Sequence, residues 1–212
     1  AMFLFIREQL SSTVIRRKVD GGSRFSKRVR LRQDMELLEK QAGQTIILEL
    51  QGGLFFGTKD QLYTALEPEL GKRRYILLDM RRVQSVDVTA VHLLSQIRDS
   101  LIERDAFLIF SSLSHALPNG RNIAEFFDQM ELTTMTEHVK VFPELDDAVE
   151  WVEDQILGQS PTQQSDVEAL DLDDLELFSD HKEETLIDLE ACLEKRSLAK
   201  DEKVYSFGDP GN

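Results

Sequence analysis

Apolar runs and helical patterns alternate along the chain, and this alternation predicts most of the fold. Residues 75–78 form an uninterrupted apolar run, which is typical of a strand covered on both sides. Between residues 88 and 103, apolar side chains recur at the spacing of a helix that lies on a sheet: Ala90, Leu93, Leu94, Ile97 and Leu101. The pattern predicts an α/β domain over residues 24–157.

The same reasoning places the other elements. Strands are predicted at 45–50, 54–58 and 106–113, with an edge strand at 138–142. Helices are predicted at 32–43, 59–70, 120–130 and 144–157, and a weaker one at 185–195. We expect the turn-forming sequence QGG at 51–53 to separate the first two strands.

Charge divides the chain further. The net charge is −14, yet residues 1–42 hold ten Lys and Arg against five Asp and Glu. Residues 144–190 hold seventeen acids against one lysine, which argues against nucleic acid as a partner. The polar, acidic stretch 158–180 is typical of a linker.

The first residues, AMFLFIREQL, combine an apolar fragment with a basic continuation. This arrangement is typical of the cytoplasmic exit of a membrane helix, although no apolar run is long enough to span a bilayer. We expect residues 1–23 to be a basic juxtamembrane segment. The alternative is a frayed basic terminus.

Residue types suited to catalysis or metal binding are sparse. The single Cys192 excludes an internal disulfide and favours a reducing compartment, and the four histidines have no metal-ligand spacing. Asp79 and Asp87 could form a carboxylate pair, but neither has a histidine or lysine partner, so turn or capping roles are the alternative. We expect no enzymatic activity, no metal and no cofactor.

Thr89 is the candidate regulatory hydroxyl. Asp87 is well placed to cap the helix that follows, which puts Thr89 at the second helical position among unpaired backbone N–H groups. A phosphate there would add nearly two negative charges at the positive end of the helix dipole. The alternative is an ordinary threonine in a first helical turn.

The order of these motifs resembles the STAS domain, which is shared by anti-sigma-factor antagonists and by the cytoplasmic tails of SulP anion transporters. The resemblance rests on LQGGLFFGT (50–58), on YILLDMRRVQSVDVTAVHLL (75–94) with its Asp87, Val88, Thr89 and Ala90, and on FLIFSSL (107–113). VFPELDDAVEWVEDQIL (141–157) and the basic start resemble the transporter branch. KVYSFGDPGN (203–212) resembles the first strand and turn of a cyclic-nucleotide-binding domain, so we expect residues 181–212 to be the truncated start of such a domain, too short to bind a nucleotide.

The resemblance implies a STAS fold, with a mixed four- to five-stranded sheet and helices mainly on one face. It implies a regulatory domain at the cytoplasmic side of the bacterial inner membrane, belonging to a SulP-type transporter of sulfate or a related anion. The interaction residues would be Asp87, Val88, Thr89, Ala90, Gly52, Gly53 and Phe55.

Several partners follow from the same resemblance. They are the membrane transport domain of the same polypeptide, a homodimer mate, a weakly bound nucleotide or anion at the Thr89 helix start, and a protein kinase. The alternative function is a stand-alone antagonist-like phosphoswitch, phosphorylated on Thr89.

Overall fold

The computed structural model describes residues 13–113, 122–134, 136–159 and 182–193, and the single positions 172 and 178. The chain divides into two compact units, Ala1–Val167 and Glu168–Asn212. The strands of the first unit are β1 (Ile15–Asp20), β2 (Thr45–Leu54), β3 (Tyr75–Val86), β4 (Phe107–Ser111) and β5 (Val139–Phe142). Its helices are α1 (Arg32–Gln41), α2 (Lys59–Leu70), α3 (Val88–Ile102), α4 (Ile123–Gln129) and α5 (Leu145–Gly158). The described helix of the second unit is α6 (Glu183–Cys192).

The five strands form one mixed sheet in the order β1-β2-β3-β4-β5. β1 runs antiparallel to β2, and the other neighbours are parallel. Because side chains alternate along β3, Ile76 and Leu78 pack on one face with α2, α3 and α4. Tyr75 and Leu77 pack on the other face with α1 and α5. The predicted mixed α/β sheet is confirmed, with three helices on one face and two on the other.

β1 lies inside the segment 1–23 that the sequence assigned to a membrane exit. Its first residue pairs with Leu50 and its last with Ile46, so it forms an edge of the sheet. Basic side chains of β1 reach acids of the domain: Arg16 pairs with the buried Glu49, and Lys18 Nζ lies 2.7 Å from Glu69 Oε1. At least two basic residues of this segment therefore form ion pairs within the folded domain. Its juxtamembrane role stays a prediction.

A second basic stretch, residues 24–30, lies across α5, and we call it the basic strap. Arg30 Nε donates to Glu153 Oε2 at 2.7 Å, and the two side chains are 5% and 6% exposed. The backbone N–H and hydroxyl of Ser26 donate to the same carboxylate, at 2.7 and 2.6 Å. Arg28 pairs with Glu150 at 3.0 Å on the outer side. Glu153 is therefore the common anchor of the strap.

Three strand predictions need correction. β2 does not end before the QGG sequence but continues through Gly52 and Gly53 to Leu54, with one register shift just before QGG and a second between Gly52 and Gly53. The segment 54–58 is not a separate strand: after Leu54 the chain turns into α2. β3 likewise extends beyond its apolar run to Val86. Bulges allow the ladder to pass turn-forming residues that a sequence pattern treats as breaks.

The acidic and C-terminal predictions are tested only in part. The predicted weak helix at 185–195 is present as Glu183–Cys192. Most of the linker 158–180 and all of 203–212, with its resemblance to a cyclic-nucleotide-binding domain, lie outside the described residues. The domain boundaries stay predictions. None of the described helices is long and apolar enough to cross a membrane.

Neutralising Glu69 should remove part of the acid sensitivity of folding. Burial by itself would raise the pKa of Glu69, but hydrogen bonds from Lys18 and Arg73 outweigh it and hold the pKa below its ordinary value. A lowered folded-state pKa contributes stability above the unfolded pKa of about 4.3, which is lost as pH falls through the folded value. Urea denaturation between pH 7 and pH 3 should therefore show a smaller loss of stability for Glu69→Gln than for the wild type. Glu67→Gln, on the exposed side of α2, is the matched control and should follow the wild type.

Candidate interaction site

Asp87 joins two loops at the end of β3. It precedes α3 with extended backbone angles, and its Oδ1 accepts a hydrogen bond from the Ala90 N–H at 2.8 Å, which confirms the predicted N-cap. Its Oδ2 accepts from the Phe56 N–H at 3.1 Å, and its own N–H donates to Leu54 O at 2.9 Å. One carboxylate therefore fixes both the start of α3 and the loop between β2 and α2.

The next three residues have different surroundings. Ala90 is buried at 1% exposure, so its small side chain belongs to the core. Val88 is 47% exposed, so its apolar side chain is open to solvent in the first turn of α3. Thr89 is half-buried, and its hydroxyl makes no hydrogen bond to the described part of the chain. Val88 and Thr89 are thus available for contact, while Ala90 is not.

The glycine pair shapes the neighbouring loop. Gly52 has a φ of +72°, a backbone conformation that side chains with a Cβ rarely adopt. A Cβ on Gly53 would lie 2.9 Å from Ser85 Oγ and 3.3 Å from a ring carbon of Phe55, so β2 and β3 approach closely there. Phe55 is half-buried and packs beside this contact. Gly52, Gly53 and Phe55 therefore lie in or beside the loop that carries the site.

Thr58 holds the loop together and was not predicted. It is 1% exposed, and its hydroxyl accepts from the Phe55 N–H at 3.0 Å and donates to Gly53 O at 2.9 Å. The sequence Thr58-Lys-Asp-Gln61 fits the pattern of a helix capping box, and this pattern could have indicated Thr58 as a structural residue. The structure shows no side-chain cap at that helix start, because the hydroxyl faces the loop.

The exposed aromatic residue at the site is Phe56, which the sequence did not single out. Phe56 is 68% exposed, and the ammonium of Lys59 lies 5.0 Å from the centre of its ring. Its backbone is fixed by Asp87, as is the start of α3 that carries Val88. We call the exposed group formed by Phe56, Val88 and Thr89 the turn surface. Exposed apolar side chains on a hydrogen-bonded frame are typical of a contact surface.

The two acids considered as a pair are not together. Asp79 lies in the middle of β3, eight residues and roughly 25 Å from Asp87 along the strand. It is buried, and its Oδ1 accepts from the Arg81 N–H at 3.1 Å. Among the described residues, no group of three or more His, Cys, Asp or Glu is placed to hold a metal ion. The carboxylates therefore have separate structural roles.

Comparison with known proteins identifies the family. Residues 37–148, more than half of the chain, match the STAS domain. Glutaminase 1 of Bradyrhizobium diazoefficiens is 25% identical over 193 residues, which are 91% of this chain and 30% of that protein. The chain thus spans about 30% of the length of the curated relatives that it matches.

Two solved structures are similar to part of this chain. A sulfate transporter family protein from Wolinella succinogenes is 25% identical, with a TM-score of 0.44, over 53% of this chain and 87% of that chain. The Bacillus cell fate determinant SpoIIAA in its phosphorylated form is 17% identical, with a TM-score of 0.41, over 52% of this chain and 92% of that chain.

Proposed function

Because the chain belongs to the STAS domain family, we propose that it is the cytoplasmic regulatory domain of a SulP-type anion transporter at the bacterial inner membrane. It would control transport or assembly through the turn surface. The observation that carries the proposal is the double hydrogen bond of Asp87, which holds Phe56 and Val88 outward on a fixed frame. The sequences LQGGLFFGT and VFPELDDAVEWVEDQIL support the transporter branch.

The turn surface combines two means of recognition. Burying the rings and methyl groups of Phe56 and Val88 against a partner would supply apolar contact area. Thr89 adds a hydroxyl at the positive end of the α3 dipole, where a charge on the partner or on the hydroxyl itself would change the fit. The partners proposed for this surface are the membrane transport domain and a homodimer mate, and a nucleotide or anion is the small-molecule alternative.

A charge at Thr89 should change function without unfolding the domain. In the full-length protein, Thr89→Glu is expected to change uptake of the transported anion at least about fivefold, the lower end of ordinary coupling between sites. The melting temperature of this chain should stay nearly unchanged, because Thr89 is half-exposed and lies where a helix tolerates negative charge.

Thr89→Ala is the control for loss of the hydroxyl without added charge. Uptake would be measured with sulfate, bicarbonate and chloride in cells that lack other carriers for these anions. A large drop in melting temperature with normal uptake would instead assign Thr89 a structural role only.

A stand-alone phosphoswitch is the second candidate, and the unbonded Thr89 hydroxyl is the observation that favours it. In this case a protein kinase would transfer a phosphoryl group from ATP to Thr89. Mass spectrometry of the protein isolated from its native cells should then show phosphate on Thr89, and the response should persist without a transport domain. Absence of the phosphopeptide under all growth conditions would reject this candidate.

The match to Glutaminase 1 supports a third candidate, a STAS module joined to a catalytic domain. That match extends over 91% of this chain, beyond the residues that match the STAS domain. Assays of the full-length protein for ammonia release from glutamine and for anion uptake would distinguish a module joined to a catalytic domain from the regulatory domain of a transporter. We infer that the described chain itself is regulatory rather than catalytic. Hydrolytic turnover by the purified chain that is lost on Asp87→Ala would overturn this inference.

A further inference from the structure

A separate polar site lies on the part of the sheet that extends beyond β4. The pairing of β3 with β4 ends at Asp79 and Ser111, whereas the pairing of β2 with β3 continues to Leu54 and Val86. We call this two-stranded extension, residues 50–54 and 80–86, the arm. Within the described strands, the arm portion of β3 has a neighbour on one side only.

Two irregularities redirect side chains on the arm. Glu49 is opposite Asp79, but Gln51 is opposite Arg82, so β3 contains one extra residue between these pairs. A second extra residue follows before Ser85. Bulges re-aim side chains and often occur beside functional sites. A Cβ on Gly52 would meet no atom within 4 Å, so the backbone is open at this point.

An open surface cavity of about 260 Å³ lies on the arm. Four of its five lining residues have polar side chains: Thr13, Gln51, Gly52, Arg82 and Gln84. The Gln51 side-chain NH₂ donates to Thr13 O at 2.9 Å, which fixes the orientation of this amide and leaves its oxygen as an acceptor. The side chains of Arg82 and Gln84 have no hydrogen-bond partner in the described part of the chain. The cavity thus presents one cation, one free amide and one oriented acceptor.

The guanidinium of Arg82 is uncompensated. Arginines elsewhere in the domain, including Arg16, Arg30 and Arg73, pair with carboxylates. Arg82 is exposed and has no such pair among the described residues, although the chain carries a net charge of −14. A planar guanidinium binds an oxyanion through two parallel hydrogen bonds.

We propose that the arm cavity binds a protonated oxyanion of the hydrogenphosphate or hydrogencarbonate type. Arg82 would bind two of its oxygens, and the Gln84 NH₂ would donate to a further acceptor. Its hydroxyl would donate to the Gln51 side-chain oxygen, which sulfate cannot do at neutral pH because it carries no proton. The cavity residue nearest to Asp87 along β3 is Gln84, three residues or roughly 10 Å away. None of the cavity residues belongs to the turn surface, so the proposal does not rest on the function proposed for that surface.

Titration of the purified chain with phosphate, bicarbonate and sulfate tests this site. Calorimetry at pH 7 and constant ionic strength should show saturable binding of phosphate, of bicarbonate or of both. Sulfate should bind at least about fivefold more weakly, since it leaves the Gln51 acceptor unpaired. Arg82→Gln should weaken binding about tenfold or more.

Arg81→Gln is the matched control. Arg81 is the adjacent arginine, is also exposed and has no ion pair among the described residues, but it does not line the cavity. It should retain binding within about twofold, because its side chain does not line the cavity and its exposed charge is partly screened by salt. Circular dichroism would establish that each variant is folded. No saturable binding of any of the three anions, equal binding of sulfate, or an equal loss in Arg81→Gln would each overturn the proposal.

Discussion

Glu153→Ala is expected to lower the free energy of unfolding by about 3 kcal/mol, because it leaves Arg30 charged and partly unpaired in a buried position. Burial alone would lower the pKa of Arg30, but its hydrogen bonds to Asp154 and Glu153 hold the pKa above its ordinary value. The guanidinium is therefore charged at any pH at which the protein folds. Asp154 remains in the variant at 2.9 Å from Arg30 Nη1, which keeps the loss at the lower end of the range for a broken buried pair.

The loss should extend beyond one ion pair. The Glu153 carboxylate also accepts both hydrogen bonds of Ser26, so its removal releases the basic strap from α5. Urea denaturation at pH 7 measures the effect. Arg32→Ala is the control: its pair with Glu36 spans 3.6 Å, both side chains are more than half exposed, and the expected loss is about 0.5 kcal/mol or less.

A double substitution distinguishes pairing from packing. Arg30→Met combined with Glu153→Leu replaces both charges with apolar side chains and should recover the part of the loss that comes from the unpaired Arg30, but not the part that comes from the two Ser26 hydrogen bonds. A loss below about 1 kcal/mol for Glu153→Ala would contradict the assignment of Glu153 as the anchor of the strap.

Asp87→Ala should cost about 1–2 kcal/mol, the usual range for the loss of a helix N-cap. It also removes the acceptor for the Phe56 N–H, so the turn surface should lose its fixed frame. In the full-length protein we therefore expect a larger change in regulation than the stability loss alone would cause. Chemical denaturation and hydrogen exchange of the Phe56 and Ala90 amides would measure both effects.

Asp87→Asn separates the two hydrogen bonds. An asparagine keeps one acceptor oxygen, which can still cap Ala90, but its NH₂ group cannot accept from the Phe56 N–H. Stability should be close to that of the wild type, while the Phe56 amide should exchange faster. Unchanged exchange at Phe56 in this variant would show that the carboxylate does not fix the loop.

Much of the central architecture follows from local sequence. The apolar run of β3 and the helical spacing of α3 both reflect burial against the sheet, so each leaves a pattern within a short window. Asp87 could be predicted as a cap for the same reason, since it bonds only three residues away. Local sequence patterns are sufficient to predict an element when its stabilising contact is close in sequence, or when a whole face of the helix or strand is buried.

β1 could not be predicted in this way. Its basic side chains look like a solvated or membrane-proximal stretch until Glu49 and Glu69 are brought beside them, 33 and 51 residues along the chain. The basic strap likewise depends on Glu153, more than 120 residues away. Ion pairs between residues so far apart leave no periodic pattern in the sequence around either partner.

The turn surface shows a different limit. Phe55 and Phe56 are adjacent and chemically identical, so only the path of the loop decides which ring is buried and which is exposed. That path depends on the positive φ of Gly52 and on the hydroxyl of Thr58, which bonds back into the loop. The sequence placed Phe55 in this loop, but that Phe56 carries the exposed ring follows only from the path of the backbone.

The direction of β1 has a mechanical consequence. Residue 14 accepts from the Gln51 N–H at the arm end of the sheet, whereas Gln159, after α5, donates to the Tyr75 hydroxyl at the opposite end of β3. Residues 14 and 159 therefore lie towards opposite ends of the sheet. Gln51 is opposite Arg82, seven residues from Tyr75, so the two points are roughly 23 Å apart along β3. A pulling force applied between residues 14 and 159 would act along β1. It would load all the β1–β2 hydrogen bonds in shear at the same time, which makes the domain mechanically stiff.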